Sequence, residues 1–471
     1  MAYNSKKKAR YLVGNIGLFM IATFLPKTLT FFMVPLYTSC LSTVEYGAAD
    51  MLTNTVSLLM PVLTLQIQDA VMRYALKEDY SKEDVLSVGV KITLTGGGLL
   101  IILLIVLVNI NIVTINIYFL FFLCLNYFTG SLNNVLAYFC RGINKIKIIT
   151  ISSILNSLLT IGCNLLFLLV LHWGLNGYLI ANSVGAAVRV LYIFFGAQLY
   201  KKFTWKNHSK NIANDMISFS IPMIFSALSW WINNASDKYI LTIFKGVSIV
   251  GIYAIASKIP SILAAFGEVI AKSFSISAIK EFDSNDTDGF LGKSYGTISF
   301  CMVFICSLIM ILNENLAKIM FAKEFYAAWK YVPLLLVSIM FNQLSLSCEN
   351  ILLGVGKTSI ISKTALMGAC INTFLNFILI PIFGAYGAAC ATAFGFFLTW
   401  VIRYQKVILY VKLKNSIRKE IISYFLITIQ MVLACFGHAY LFIQIVILGL
   451  MLNIYFEELK KIVKFVIHGW H

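Results

Sequence analysis

Three basic residues lie near the middle of apolar stretches that are long enough to cross a lipid bilayer: Lys27, Arg189 and Lys258. A cation at membrane depth is rare because lipid cannot solvate it, so it normally faces a protein interior or a water-filled cavity. Such residues usually serve an ion or substrate pathway. The three cations therefore predict an anionic ligand that is bound within the membrane.

Prolines distinguish two of these cations. Lys27 follows Pro26 directly and Lys258 precedes Pro260 by two residues, and a proline removes a backbone hydrogen bond and can kink a helix. We expect both lysines to contact the ligand; the alternatives are internal pairing or snorkelling, above all for Lys27. Arg189 has the weaker claim, because its position on the sixth predicted helix is compatible with a peripheral location.

Acidic residues within the predicted spans offer ion coupling or gating. Asp69 and Arg73 are four residues apart, which favours an ion pair on one helix face; substrate contact by Arg73, or a gate formed by a breakable pair, stays open. Glu268 and Glu349 either bind a proton or sodium ion or neutralise a buried lysine. The sequence thus allows coupling to a proton or sodium gradient.

A short segment combines flat aromatic side chains with amides: Trp230, Trp231, Asn233 and Asn234. This combination suits a sugar, which offers an apolar ring face and many hydroxyl groups. The simpler interpretation of the tryptophans is an interfacial aromatic belt near the outer end of the seventh predicted helix. Both interpretations stay open.

No residues in the sequence predict catalysis, a metal or a cofactor. The ten cysteines include no C-x-x-C pair, and most fall in apolar spans where a small hydrophobic side chain packs well. No Ser/His/Asp or Cys/His set suggests a nucleophile. We therefore expect a protein without catalytic residues.

Composition defines the elements that must position these side chains. Of 471 residues, 59% are hydrophobic and 12% charged, which predicts an all-α, multi-pass membrane protein. Apolar runs of about 18 to 25 residues, each sufficient to span roughly 30 Å of hydrocarbon, recur along the chain. We predict fourteen spans, at residues 12–37, 47–73, 86–108, 115–139, 149–171, 177–199, 214–235, 249–271, 294–313, 331–353, 362–383, 386–405, 420–437 and 439–456.

Basic residues concentrate in alternate loops and both tails, for example at 201–210 and 412–419. The positive-inside rule then places both termini in the cytoplasm. The net charge of +17 is explained by this topology, so we expect no nucleic-acid partner.

The chain also looks duplicated. Gly142, Lys145 and the segment 174–177 recur as Gly354, Lys357 and the segment 384–387, and a looser match relates 45–47 to 249–251. We predict two pseudo-symmetric six-helix lobes, 1–210 and 211–406, followed by two helices and a tail at 407–471. Repeated lobes are typical of transporters that bind substrate between them and alternate access by rocking. Recurring tight turns that favour glycine are the alternative explanation.

Several motifs resemble those of Wzx-type polysaccharide flippases in the MOP (multidrug, oligosaccharidyl-lipid, polysaccharide) exporter superfamily. They are Val34-Pro35-Leu36-Tyr37-Thr38, Glu45-Tyr46-Gly47, Ser220-Ile221-Pro222, Val250-Gly251-Ile252-Tyr253 with Lys258-Ile259-Pro260, and Ala328-Trp329-Lys330-Tyr331-Val332-Pro333-Leu334. The resemblance extends over nearly the whole chain. It implies a MATE-like fold in the bacterial cytoplasmic (inner) membrane.

The resemblance also implies a function. Such proteins move oligosaccharide repeat units, linked to polyprenyl pyrophosphate, to the outer leaflet for O-antigen, capsule or exopolysaccharide assembly. A cationic cleft would lower the barrier for the pyrophosphate. Besides membrane lipid, the implied partners are a polysaccharide polymerase and glycosyltransferases.

Two other functions compete with this one. A cation-coupled multidrug exporter of the same superfamily predicts an acid in the first helix, where this chain carries Lys27. A membrane glycosyl polymerase or ligase usually has a large, basic outer loop, whereas the longest predicted outer loop runs only from about 314 to 330.

Overall fold

The computed structural model describes residues 26–110, 117–205, 210–280, 282–414, 416–456 and 458–460. Every regular element within these ranges is helical, which confirms the all-α prediction. The described residues form two compact units. The first comprises those within 26–41 and 48–231, and the second comprises those within 42–47 and 232–460.

The first unit begins, in the described part, with a helical segment at 26–32. Its further helices are α1 (Val34–Cys40), α2 (Thr43–Leu63) from Ala48 onward, α3 (Ile67–Leu76), α4 (Lys82–Asn109), α5 (Ile117–Gly142), α6 (Ile146–Asn164), which continues as a π-helix (Leu165–Val170), α7 (Gly174–Gly196) and α8 (Lys210–Lys245) as far as Trp231.

Local chemistry fixes several helix ends in this unit. Pro35 lies in the first turn of α1, where its missing N–H is tolerated. The hydroxyl of Ser81 accepts a hydrogen bond from the Asp84 backbone N–H, which caps α4. The short helix α3 packs against its neighbours in the core of the unit. Ile67, Val71 and Phe139 are fully buried there.

The second unit contains the rest of α8, eight further α-helices and two 3-10 helices, Lys323–Lys330 and Gly437–Tyr440, in the described ranges. The α-helices are α9 (Val247–Ala256), α10 (Pro260–Lys280), α11 (Phe290–Met320), α12 (Val332–Val355), α13 (Thr358–Phe383), α14 (Ala385–Tyr410), α15 (Ile417–Ala434) and α16 (Leu441–Ile454). Helix α12 lies at the centre, since it packs against α10, α11, α14 and α15.

Two glycines allow a close helix crossing inside the second unit, whose segment 42–47 forms the start of α2. A Cβ on Gly47 would overlap the carbonyl of Val247, and one on Gly251 would overlap the carbonyl of Thr43. Val247 lies four residues before Gly251, and Thr43 lies four residues before Gly47. Each glycine therefore faces the backbone about one helical turn before the other glycine. Beside the crossing, the hydroxyls of Thr43 and Ser248 are hydrogen-bonded at 2.8 Å.

Nine helices in the described ranges are long and apolar enough to cross a membrane, or up to eleven if each bent pair is one span. The chain is therefore a multi-pass membrane protein. The predicted number of fourteen is not reached on this criterion. Span 12–37 lies mostly outside the described residues, α15 begins with three charged residues at 418–420, and α16 has only 14 residues.

Candidate functional site

A transmembrane helix of the first unit is broken. The axes of α2 and α3 differ by 57°. Pro61 has no N–H to donate to the carbonyl of Ser57, and Leu65 and Gln66 adopt left-handed φ angles of 52° and 50°. A non-helical backbone at membrane depth is tolerated only where it is buried in protein or lines a cavity.

A cavity of about 480 Å³ lies beside this break. Its volume is in the range of small-molecule sites, about 300 to 1,000 Å³. Within the described part of the chain, no charged residue lines the cavity. Hydroxyl and amide groups line it, from Ser57, Thr64, Gln66, Gln68, Ser131 and Asn134. Tyr138 and Trp230 add aromatic rings. We call it the neutral cavity.

The two predicted tryptophans of α8 have different environments. Trp230 lines the neutral cavity, and 66% of its surface is exposed. The indole N–H of Trp231 donates to the backbone carbonyl of Asn54 at 2.9 Å. Helix α8 continues for fifteen residues beyond Trp230, to Lys245. Because its 36 residues exceed the roughly 20 that cross a bilayer, the helix end does not mark the membrane surface, and the choice between a sugar site and an aromatic belt stays a prediction.

The predicted asparagines lie in the part of α8 that belongs to the second unit. The side-chain amide of Asn233 donates to the backbone carbonyl of Ala365 at 3.3 Å, a contact between two helices. The Asn234 side chain is exposed. Neither residue lines the neutral cavity, so their role in sugar binding stays a prediction.

A second broken helix lies in the second unit and contains Lys258. The axes of α9 and α10 differ by 49°. Pro260 has no N–H for the carbonyl of Ala256, and α9 ends at that residue. Lys258 is half-buried in the break, directly before α10, whose N-terminal end carries a partial positive charge. An ammonium group and a helix N-terminus together favour an anion.

The other two predicted mid-membrane cations differ in exposure. Lys27 is exposed on the helical segment 26–32. Arg189 is half-buried on α7, and its buried Nε atom has no hydrogen-bond partner within the described residues. Their contact with an anionic ligand stays a prediction.

Asp69 and Arg73 share α3 but have separate partners. Asp69 accepts a hydrogen bond from the Gln66 amide at 3.1 Å. The Arg73 guanidinium stacks on the Phe219 ring, 4.2 Å from its centroid. Among the described ion pairs there is none between Asp69 and Arg73. An aromatic face attracts a guanidinium, and this attraction is stronger where the pair is shielded from water.

Of the two predicted acids, Glu349 has a clear partner. Its carboxylate lies 2.8 Å from Nη1 of Arg403, so it neutralises a buried cation that is an arginine instead of the expected lysine. Glu268 is half-buried on α10. Whether either residue binds a coupling ion stays a prediction.

Arg403 is a buried charge that the sequence analysis missed. It is only 5% exposed, and its guanidinium donates to Thr364, the Ser345 hydroxyl and the carbonyl of Ile361 as well as to Glu349. It therefore connects α12, α13 and α14. The signal was visible, since Arg403 falls inside the predicted span 386–405, but that span ends too early. Helix α14 continues to Tyr410, two turns beyond Arg403.

Asp237 is a second buried charge that sequence reasoning missed. It is 6% exposed and accepts a hydrogen bond from the Tyr253 hydroxyl at 2.9 Å. Tyr253 also interacts with Thr392, which accepts a hydrogen bond from Asn372, and Asn376 donates to Asn372. These polar groups form a buried network around one carboxylate.

The described residues contain no group of three or more His, Cys, Asp or Glu side chains that could hold a metal ion.

The fold and site define a multi-pass helical membrane protein with interrupted spans beside polar groups, an arrangement typical of transporters. The family is shown directly. The chain belongs to the family described as polysaccharide biosynthesis protein, whose model matches residues 12–275, more than half of the chain. The predicted family resemblance is thereby confirmed.

Two curated relatives match part of the chain. An uncharacterized membrane protein of Methanocaldococcus jannaschii is 26% identical over 245 residues, which is 48% of this chain and 46% of that protein. A probable low-salt glycan biosynthesis flippase of Haloferax volcanii is 22% identical over 217 residues, 45% of each protein. The chain thus spans less than half the length of the curated relatives it matches.

Solved structures share the fold. The lipid II flippase MurJ, in an inward closed conformation, has a TM-score of 0.70 at 16% identity, over 96% of this chain and 99% of that one. An inward-facing MATE family transporter of the MOP superfamily has a TM-score of 0.66 at 14% identity, over 84% and 100%. At these identities the comparison establishes the MATE-like fold alone.

Proposed function

We propose that this chain is a flippase that moves an oligosaccharide linked to polyprenyl pyrophosphate from the cytoplasmic to the outer leaflet. One observation carries the proposal. An apolar helix is interrupted in each compact unit. Neutral hydrogen-bonding groups lie at the break in the first unit, and Lys258 lies at the break in the second. A lipid-linked sugar needs both kinds of group, hydrogen-bonding partners for its hydroxyls and a cation for its pyrophosphate.

The energetic argument concerns the pyrophosphate. Moving an isolated charge into hydrocarbon costs tens of kcal/mol on a simple solvation estimate, so an unassisted crossing is prohibitively slow. A protein lowers this barrier by presenting positive charge and hydrogen bonds along the path. We assign that role to Lys258, and keep Lys27, Arg189 and Arg73 as further candidates. The isoprenoid tail stays in lipid.

The biological setting is part of the proposal. The family match and the similarity to a probable glycan biosynthesis flippase support a role in surface polysaccharide assembly. We propose a Wzx-type protein of the bacterial cytoplasmic membrane, with both termini in the cytoplasm. It acts by alternating access and supplies O-antigen, capsule or exopolysaccharide assembly. Glycosyltransferases would act before it and a polymerase after it.

Ion coupling is a separate proposal. Glu268 and Glu349 are the acids that the sequence suggests for a proton or sodium ion, and Asp69 is the acid that it suggests for a gate. Because Glu349 is bound to Arg403, ion binding at Glu349 would compete with that pair. Asp237 is an additional candidate, since a buried carboxylate in a transporter is often protonated in one state and ionised in another.

Gene deletion followed by analysis of lipid-linked intermediates tests the function. A flippase mutant should accumulate complete lipid-linked repeat units on the cytoplasmic leaflet. A multidrug exporter of the same fold predicts normal intermediates and increased drug sensitivity instead. A polymerase or ligase defect would leave the repeat units exposed on the outer leaflet.

A further inference from the structure

The neutral cavity contains polar side chains that are ready to bind a ligand. Within the described residues, the amide of Gln68 and the hydroxyl of Tyr138 make no hydrogen bond to protein, and both line the cavity. The Asn134 amide lies 3.7 Å from the Met60 sulfur, which is a weak acceptor. A ligand can therefore bind these groups without breaking strong hydrogen bonds.

The chemistry of these groups matches an uncharged sugar. A side-chain amide both donates and accepts, as does a phenol hydroxyl, and sugar hydroxyls and acetamido groups also do both. Trp230 adds a largely exposed indole on the cavity wall. Its flat face suits the apolar C–H face of a pyranose ring, while the amides reach the hydroxyls at the ring edge.

An acidic sugar fits this cavity poorly. A carboxylate that leaves water needs a cation or several donors to compensate for lost hydration, and no cation lines the cavity in the described part of the chain. Two charged residues contact the lining, and they have opposite sign. Asp69 accepts a hydrogen bond from Gln66, and Arg141 lies over the Tyr138 ring, 4.8 Å from its centroid. They give an anion no net attraction comparable to a direct ion pair.

From this lining we infer that the neutral cavity binds the sugar part of the substrate, and that it selects uncharged hexoses or N-acetylhexosamines over uronic and other acidic sugars. The inference rests on the proposed flippase function and specifies its substrate class. The pyrophosphate is bound elsewhere, because the described lining of the neutral cavity contains no cation to balance its negative charge.

The test measures dissociation constants of the full chain in lipid nanodiscs for three probes. Each is a short-chain prenyl pyrophosphate: one carries N-acetylglucosamine, one carries glucuronic acid and one carries no sugar. We expect the N-acetylglucosamine probe to bind about tenfold more tightly than the glucuronic acid probe, because the acid is desolvated without a partner. The probe without sugar should bind more weakly than the N-acetylglucosamine probe.

Variants locate the effect in the cavity. Gln68→Leu and Tyr138→Phe should each weaken the N-acetylglucosamine probe roughly threefold to tenfold, the effect of one lost hydrogen bond, and leave the sugar-free probe unchanged. Gln68→Lys should shift the preference towards the glucuronic acid probe. Tyr200→Phe is the matched control, because Tyr200 is exposed on the first unit and does not line the cavity. Unchanged binding of the sugar-free probe shows that each variant is folded.

The outcomes separate the two proposals. If the sugar-free probe binds but all three affinities are equal, or if the acid is preferred, the inference is overturned and the flippase proposal stands. If Gln68→Leu and Tyr138→Phe behave like Tyr200→Phe, the sugar does not bind in this cavity. If no prenyl pyrophosphate binds, the flippase proposal itself fails.

Discussion

Replacement of one partner in the Arg403–Glu349 pair should destabilise the second unit more than replacement of both. Glu349→Gln leaves the guanidinium of Arg403 charged and almost fully buried, with a side-chain exposure of 6%. Arg403→Met leaves a carboxylate that is 28% exposed and can reach solvent. The two single variants therefore differ in how well the remaining charge is solvated.

The expected magnitudes follow from this asymmetry. Leaving a buried charge without its partner costs about 3 to 5 kcal/mol, which we expect for Glu349→Gln. The double variant Glu349→Gln/Arg403→Met removes both charges and should be more stable than Glu349→Gln alone. The coupling energy between the two positions should be about 1 to 3 kcal/mol, as for residues in direct contact.

Thermal unfolding in detergent measures this effect with a native probe. Cys348 is fully buried beside Glu349, so a thiol-reactive fluorophore reports its exposure as the unit unfolds. The control is Lys318→Met, which breaks the more exposed Lys318–Glu314 pair and should cost at most about 1 kcal/mol. If the two single effects simply add, or if Glu349→Gln matches Lys318→Met, the account of Arg403 as a buried connection between three helices is refuted.

Two further predictions concern the second unit. Gly251→Ala should cost about 1 to 3 kcal/mol, because its Cβ overlaps the Thr43 carbonyl; Gly98→Ala, in open space, should be neutral or stabilising by up to about 1 kcal/mol. Equal unfolding midpoints for the two variants would contradict the close crossing. In the loop before α11, hydrogen bonds from Thr287 lower the pKa of Asp283 to about 2, below its unfolded value of about 3.9. Their contribution should be complete above pH 4 and lost as the pH falls towards 2; amide exchange at Thr287 that is equally slow in Asp283→Asn at pH 7 would disprove this.

The helical fold class was predictable because the lipid bilayer allows the backbone few structures. Apolar runs predict helices, since a helix satisfies its own backbone in lipid, and Pro260 marks the break beside Lys258 in the sequence itself. The break between α2 and α3 is different. Pro61 is visible in the sequence, but it lies inside α2, and the break also needs left-handed φ angles at Leu65 and Gln66, which are residues without a strong turn preference.

For the candidate site, the sequence could not predict which residues the folded chain brings together. Gln68, Tyr138 and Trp230 come from three helices and are far apart in the sequence, so no spacing rule joins them. Arg403 was visible as a charge inside a span, but its burial depends on how far α14 continues. The sequence therefore indicated an anionic substrate, and the structure added the neutral cavity, where the sugar is proposed to bind.

Flipping in reconstituted vesicles tests the central claim most directly. The purified chain is placed in proteoliposomes with a polyprenyl-pyrophosphate-linked oligosaccharide in both leaflets, and an enzyme added outside modifies only the outward-facing sugar. The proposed function predicts that nearly all of the substrate becomes accessible with the native chain, and that access is much slower with Lys258→Ala. Accessibility that stays at the outer-leaflet fraction, as in protein-free vesicles, would contradict the proposal that this protein is a flippase for lipid-linked oligosaccharides.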